Sequence, residues 1–440
     1  MLLPVQLITH PGTRTAAPAA PVGRWNIDPA SGDIPIVEIH LIAGTRPEAV
    51  KLAPLVSALT ACDLQPVLVA SGQHPAMVQQ ALDAFDLVPD ETLRIDRGAG
   101  RQAELMAVLA PALDTLWHRR RPAAVVVQGD TTTTLAGALT AFWAGVPVVH
   151  LEAGLRSHDL AAPFPEEGNR RMVSQIAALH LPPTEAARLN LEAEGRAGPG
   201  VIVTGNTAVD AVLTVAARGL PIVDAGVSDL VRRARAGRSR LLLVTVHRRE
   251  SWGAPLDGVL QAVRTLVLRH DDVEVVLPAH PNPDVRRQVR DVLDGTPRIL
   301  VTDPLPYPDL VAALAASTLV LSDSGGIQEE APSFGVPVLV LREVTERMEA
   351  VHAGCALLLG TDTDRIVGTA SALLAEPAAR AAMMTAGNPF GDGSAAVRAA
   401  EAIAWLLGAR ERRPADFVCT GAPSAHPSSP LLRPAHHPGS

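Results

Sequence analysis

The chain has 440 residues, 47% of them apolar, which is enough to fill two cores rather than one. A formal net charge of −8 argues against a nucleic-acid or anionic-membrane partner, because both recruit basic surfaces. Three scattered cysteines, Cys62, Cys355 and Cys419, imply neither a disulfide framework nor a metal centre and suit a reducing cytoplasm, and no apolar run is long enough to span a bilayer.

Residues 1–35 are rich in Ala, Pro and Gly without periodicity and read as a mobile tail. Their first dozen are apolar but lack an early positive charge and contain Pro4, so they do not read as a secretory leader. Short apolar runs then alternate with amphipathic helical stretches: VEIHLIAG, PVLVASG, AAVVVQG, PVVHLEAG and VIVTG, followed by RLLLVTVH, VEVVLPAH, TLVLSDSG and VPVLVLRE. This alternation is the pattern of parallel strands joined by crossover helices. The expected fold class is α/β, with two Rossmann-like doubly wound domains, residues 36–205 and 206–387, facing each other across a cleft. NPFGDG at 388–393 predicts a turn before a helix that runs to about residue 408 and crosses back to the first domain; residues 409–440, rich in Pro, Ser and His, read as a second mobile tail.

In such a fold, function belongs to the loops at the carboxyl ends of the strands. The first of these, GTRPEAVKLAPL, brackets a helix start with Arg46 and Lys51, and Lys51 is the only lysine in the chain. A guanidinium fork and a point charge there suit a diphosphate; the plainer reading is two solvated cations beside Glu48. No GxGxxG or GxxxxGK[ST] follows a strand, so neither a bound dinucleotide nor a P-loop is indicated. Asp130, in VVVQGDTTTT, ends a strand before a Thr-rich helix and reads either as an acid of the cleft or as a helix N-cap. Glu152, in VVHLEAGLRS, ends a strongly apolar strand, where partial burial would raise its pKa; the alternative is a salt bridge to Arg156. Glu166 opens the helix of FPEEGNRR, with Arg170 four residues on as a possible partner. Three acids from three successive loops of one sheet would converge on the cleft, where two or more positioned carboxylates suit proton transfer on both faces of a sugar.

From the second half, His247 and Arg248 follow a strand in VTVHRRES and suit a phosphate oxygen. Ser324, Gly325 and Gly326 form a tight strand-to-helix loop in SDSGGIQEE whose N–H groups suit a diphosphate, and Glu330 one turn on suits ribose hydroxyls.

Taken in order, GTRPEAVKLAPL, GDTTTTLAGALTAF, HLEAGLRSHDL, PFPEEGNR, VTGNTAVDAV, HRRES, SDSGGIQEEAPSFG and NPFGDG resemble the bacterial non-hydrolysing UDP-N-acetylglucosamine 2-epimerases from about residue 36 to 408. The resemblance implies a glycosyltransferase-B type fold, UDP held mainly by the second domain, no cofactor or metal, and a homodimer. By position it makes Asp130, Glu152 and Glu166 the essential acids and His247 the histidine near the diphosphate. It also sets Arg46 and Lys51 in the cleft wall, Ser324 to Gly326 and Glu330 on the nucleotide, and Arg347 of REVTERMEAV beside them. The implied chemistry is interconversion of UDP-N-acetylglucosamine and UDP-N-acetylmannosamine by elimination and re-addition of UDP, with proton exchange at C2. Met348 and Leu310 depart from the family pattern near the nucleotide, and Pro75 and Ala76 interrupt a QHxxM segment formed by Gln73, His74 and Met77. Competing expectations are a hydrolysing epimerase that releases N-acetylmannosamine, a glycosyltransferase of the same fold, and a non-catalytic UDP-sugar sensor.

Overall fold

The computed structural model describes residues 37–419 apart from Arg97, Ala99, Arg249, Glu250 and Ala386. The tail expected over residues 1–35, the chain beyond Cys419, and Arg249 of the HRRES loop lie outside the described residues.

Each half is built on a six-stranded sheet, and every strand pairing is parallel. The first contains β1 (Glu38–Ala43), β2 (Gln65–Ala70), β3 (Glu91–Thr92), β4 (Ala124–Gln128), β5 (Val148–Leu151) and β6 (Leu179–Leu181), in the order β3-β2-β1-β4-β5-β6. The second contains β7 (Arg240–Thr245), β8 (Val273–Pro278), β9 (Ile299–Thr302), β10 (Ser317–Ser322), β11 (Val338–Val340) and β12 (Ala356–Leu358), in the order β12-β11-β10-β7-β8-β9. The two orders are the same doubly wound pattern, with the first strand of each half paired to its fourth. Every residue of β4 and β5 is buried, which explains why these runs are continuously apolar rather than alternating: helices cover both faces.

The outer face of the first sheet packs Ile42, Val67 and Val125 against Leu105, Leu109, Leu113 and Trp117 of the helix Gln102–Arg119. A separate cluster, with Leu242, Val263, Leu266 and Leu373, fills the corresponding side of the second sheet. The inner faces share one continuous cluster that includes Leu41, Leu52, Val212, Leu243, Val311 and Ile403. At its centre is the helix Thr207–Arg218, which packs on the helices Arg46–Thr60 and Ala395–Leu406 and also on Tyr307–Ala316 and Gly325–Glu330. Asn206 caps its start by accepting from the Ala208 N–H, and Gly219 ends it at φ 58, a left-handed conformation that glycine adopts without steric cost. Asp210 on this helix accepts from the N–H groups of Ala395 and Ala396, so it caps the last helix, Ala395–Leu406, as that helix returns to Arg46–Thr60. No helix among the described residues is long and apolar enough to cross a membrane.

The expectation of a mobile tail from residue 409 is corrected for residues 409–419. Phe417 donates its N–H to the Val203 carbonyl at 2.7 Å, Asp416 accepts from the Val203 N–H, and Arg413 donates to the carbonyls of Pro199 and Val201. Arg398 also lies over the Phe417 ring, 5.1 Å from its centroid. Composition pointed to disorder here, but the backbone groups next to β6 found partners in this strap.

Candidate active site

The strand order locates the site before any side chain is considered. In a doubly wound sheet the connections leave in opposite directions from the central pair, here β1 with β4 and β7 with β10, and this opens a crevice at their carboxyl ends. A cavity of about 620 Å³ occupies that position between the two sheets. Arg46, Lys51, Asp130 and Glu152 line it from the first half, and His247, Arg248, Ser324, Gly325, Gly326, Glu330 and Arg347 line it from the second. Glu166 and Arg170 are not among the lining residues.

On the first side, Glu48 has a role other than balancing two solvated cations. Its carboxylate accepts from the N–H groups of Gly44 and Thr45, at 2.8 and 2.7 Å, and from the hydroxyls of Thr131 and Thr134. It thereby ties the β1 loop to the β4 loop. Arg46 and Lys51 are left facing the cavity, with Arg46 donating across it to the Leu305 carbonyl at 3.1 Å. The capping alternative for Asp130 fails: Thr131 is the N-cap of the helix Thr132–Trp143, accepting from the Thr134 N–H. Asp130 instead pairs with Arg170, which also approaches Glu167.

Glu152 is the most constrained of these acids. Its φ of 63° is in the left-handed region, uncommon for a residue with a Cβ, and such strain persists where surroundings over-determine it. Those surroundings are Lys51, 2.5 Å from Oε1, the side-chain amide of Asn206 at 3.2 Å, and Gln128, which donates to Oε2. The alternative partner Arg156 is committed to Glu194 and Ser174. The expectation of a raised Glu152 pKa is also corrected: burial pushes it up, but the Lys51 ammonium and the Arg347 guanidinium outweigh burial and hold it below the usual carboxylate range. Glu166 behaves in the opposite way. Half-buried at the first position of the helix Glu166–Ile176, it is pushed up by burial and by the neighbouring Asp130 charge. The three acids therefore do not converge equally, since Asp130 and Glu152 line the cavity while Glu166 does not, although it feels the Asp130 charge.

On the second side, Ser324 caps the short helix Gly325–Glu330 and sets the glycine loop at the cavity wall. Glu330 is buried and accepts from the Tyr307 hydroxyl at 3.1 Å; burial, with the adjacent Glu329 charge, pushes its pKa to about 7. Tyr307 lines the same wall and stacks on Phe85 of the first half, 6.3 Å between centroids.

Two carboxylates of this site were missed in the sequence. Asp323, fully buried, accepts from the N–H groups of His247 and Arg248 and from the Ser251 hydroxyl, and it lies 3.1 Å from His247 Nδ1. It fixes the β7 loop and leaves the other imidazole nitrogen for the cleft. Glu329 bonds Lys51 and Arg347. An available signal was an acid directly after an apolar strand, the argument already applied to Glu152, which singles out Asp323 equally well.

Two Rossmann-like sheets, a glycine loop at a helix start on one side and paired acids on the other define a nucleotide-sugar enzyme of the glycosyltransferase-B architecture. The family model described as UDP-N-acetylglucosamine 2-epimerase matches residues 58–404. Over 385 residues the chain is 41% identical to the UDP-N-acetylglucosamine 2-epimerase of Bacillus subtilis (strain 168), covering 87% of this chain and 99% of that one. Among solved structures, the S. aureus MnaA–UDP complex superposes with a TM-score of 0.79 at 38% identity, covering 87% of this chain and 100% of that one. The Neisseria meningitidis UDP-GlcNAc 2-epimerase bound to UDP-GlcNAc gives 0.76 at 35% identity, covering 85% and 100%. The chain belongs to the UDP-N-acetylglucosamine 2-epimerase family.

Proposed function

We propose that this protein interconverts UDP-N-acetylglucosamine and UDP-N-acetylmannosamine without releasing the free sugar. The observation that carries this reading is an ionised, strained Glu152 facing a glycine-loop nucleotide seat across one cavity. In this reading Ser324 to Gly326, Arg46, His247 and Arg248 hold the diphosphate, and Glu330 with Tyr307 faces the ribose.

C2–H of an N-acetylhexosamine is not acidified by a neighbouring carbonyl, so proton removal must be coupled to loss of UDP. As the C1–O bond breaks, its electron pair leaves with UDP, and the cationic loop groups stabilise the developing charge. Glu152 takes the C2 proton, and the C–H electron pair becomes the C1=C2 bond of a 2-acetamidoglucal. Glu166, pushed up by burial, passes a proton through Asp130 to C2 on the opposite face, the C1=C2 electron pair forming the new C2–H bond. Re-addition of the UDP oxygen to C1 gives the manno epimer, and both acids re-equilibrate with solvent when the product leaves. Water must stay out, because capture at C1 would release the sugar. Arg46 on Leu305 and Phe85 on Tyr307 are contacts that close the cleft.

Proton NMR of UDP-N-acetylglucosamine incubated with the protein in D2O tests the proposal. The expected outcome is both UDP-sugars deuterated at C2. Free N-acetylmannosamine plus UDP as the product would replace the reading with a hydrolysing epimerase, and absence of exchange would remove epimerisation altogether.

A further inference from the structure

Glu329 lies on the helix Gly325–Glu330 with 1% of its side chain exposed, and it does not line the cavity. Its Oε1 receives the Arg347 fork, from Nε at 2.9 Å and Nη2 at 2.8 Å. Its Oε2 is 3.0 Å from Lys51 Nζ, and Lys51 belongs to the other half of the molecule. Lys51 is therefore clamped between Glu152 of its own domain and Glu329 of the opposite one. Lys51 and Arg347 with Glu152 and Glu329 form a buried set of two cations and two carboxylates at the cavity, with Glu346 3.8 Å from Arg347 at its edge. Burying charge is tolerated when each is paired; removing one partner leaves an uncompensated charge on the rest. Asn388 strengthens the placement by donating to the Glu329 carbonyl at 2.8 Å.

We propose that Glu329 is a positioning residue for epimerisation: by sharing Lys51 with Glu152 and neutralising Arg347 from across the cleft, it keeps Glu152 basic enough to take the C2 proton. The proposal rests on Glu152 being the base, as argued above. Lys51 and Arg347 together pull the Glu152 pKa down, and Glu329 is the group that offsets both. Without its charge, the full field of two cations falls on Glu152, which becomes a weaker base. A single lysine in a chain otherwise supplied with arginine fits this geometry, since an ammonium can sit between two carboxylates as a point charge.

The experiment compares wild type, Glu329→Gln and Glu329→Asp by C2 exchange in D2O, by steady-state kinetics with UDP-N-acetylglucosamine, and by the pH profile of kcat/KM. The other charged or titratable groups of this cluster, His150 near Glu152, Glu346 beside Arg347 and Glu330 near Lys51, are the same in all three proteins. Glu329→Gln is expected to lower kcat roughly tenfold with little change in KM, and to move the acid limb down by about one pH unit. In Glu329→Asp, which keeps the charge at shorter reach, the limb should lie between the other two. Equal rates and an unmoved limb in Glu329→Gln overturn the proposal, as does an equal loss in both variants with the limb in place, which marks a packing role. If Glu329→Gln does not fold, Glu329→Asp decides: a limb displaced downward supports the assignment and an unmoved limb overturns it. Failure of wild type to exchange C2 would instead remove the proposed function.

Discussion

The two halves of this molecule repeat one strand order but carry different chemistry at equivalent places. After β1, β4 and β5 the chain presents side-chain charges: Lys51, Asp130, and a Glu152 held at positive φ. After β7 and β10 it presents a half-exposed His247 fixed by Asp323 and a backbone loop at Ser324 to Gly326. Topology thus places the crevice, while the loops decide that one wall supplies proton-transfer groups and the other a seat for a diphosphate. The walls also differ in how they tolerate buried charge. On the first, Glu152 depends on partners from both halves; on the second, Asp323 after β10 is satisfied by the β7 loop of its own half.

The strongest way to break this comparison is to neutralise the acid wall alone. Glu152→Gln keeps size and hydrogen-bonding capacity but removes the base, so C2 exchange should fall by about three orders of magnitude or more. UDP affinity, carried mainly by the opposite wall with Arg46, should be retained within a few-fold by calorimetry. Parallel loss of both would mean that the walls do not divide the work as argued.

Much of this division was legible in the sequence. Continuous apolar runs identified the parallel strands because burial on both faces leaves no polar positions, and the loops after them could be read in order. The partners of Glu152 were not legible. The sequence-near candidate was Arg156, four residues away, but Lys51 reaches Glu152 from a helix 101 residues earlier in the chain, and Arg347 acts on it from the other half, neither of which local spacing encodes. Its pKa was misjudged for the same reason, since burial alone raises a carboxyl while two cations from distant segments reverse the sign. The strap at 413–417 was hidden by its composition, because a few backbone hydrogen bonds to residues 199–203 fix it and no apolar periodicity announces them.

A smaller effect should separate the walls by their response to acid. His150 and His180 face each other on β5 and β6 beneath the acid loops, and burial pushes their pKa values down to about 4 and about 3. His150 donates its Nε2–H to the Gly129 carbonyl, 2.8 Å away, and the neutral Nε2–H tautomer satisfies both that carbonyl and an unpaired buried Nδ1. Between those values and the ordinary histidine range near 6.5 the native state binds fewer protons than the unfolded chain. The stabilisation is therefore complete above about pH 6.5 and is lost as pH falls toward 4, by roughly 3 kcal/mol for His150. Glu330, raised to about 7, acts in the opposite sense, losing its contribution as pH rises, so the informative quantity is a difference between proteins. Urea melts from pH 7.5 to 4.5 should show a shallower loss of stability in His180→Leu than in wild type; identical slopes would mean that this histidine pair carries no proton linkage.

The smallest expected effect tests the second wall. A methyl group added at Gly325 would lie 3.0 Å from the Arg347 guanidinium carbon and 3.2 Å from its Nε. Arg347 cannot retreat freely, because Glu329 holds it through two hydrogen bonds, so the loop itself must shift by a few tenths of an ångström. Gly325→Ala should then weaken UDP binding roughly tenfold, about 1.4 kcal/mol, and raise KM more than it lowers kcat at saturating substrate. A fall in kcat with UDP affinity intact would reverse the assignment: the displaced Arg347 would be acting through Glu329 and Lys51 on the acid wall, and the division between a binding wall and a chemical wall would give way to one shared charge network.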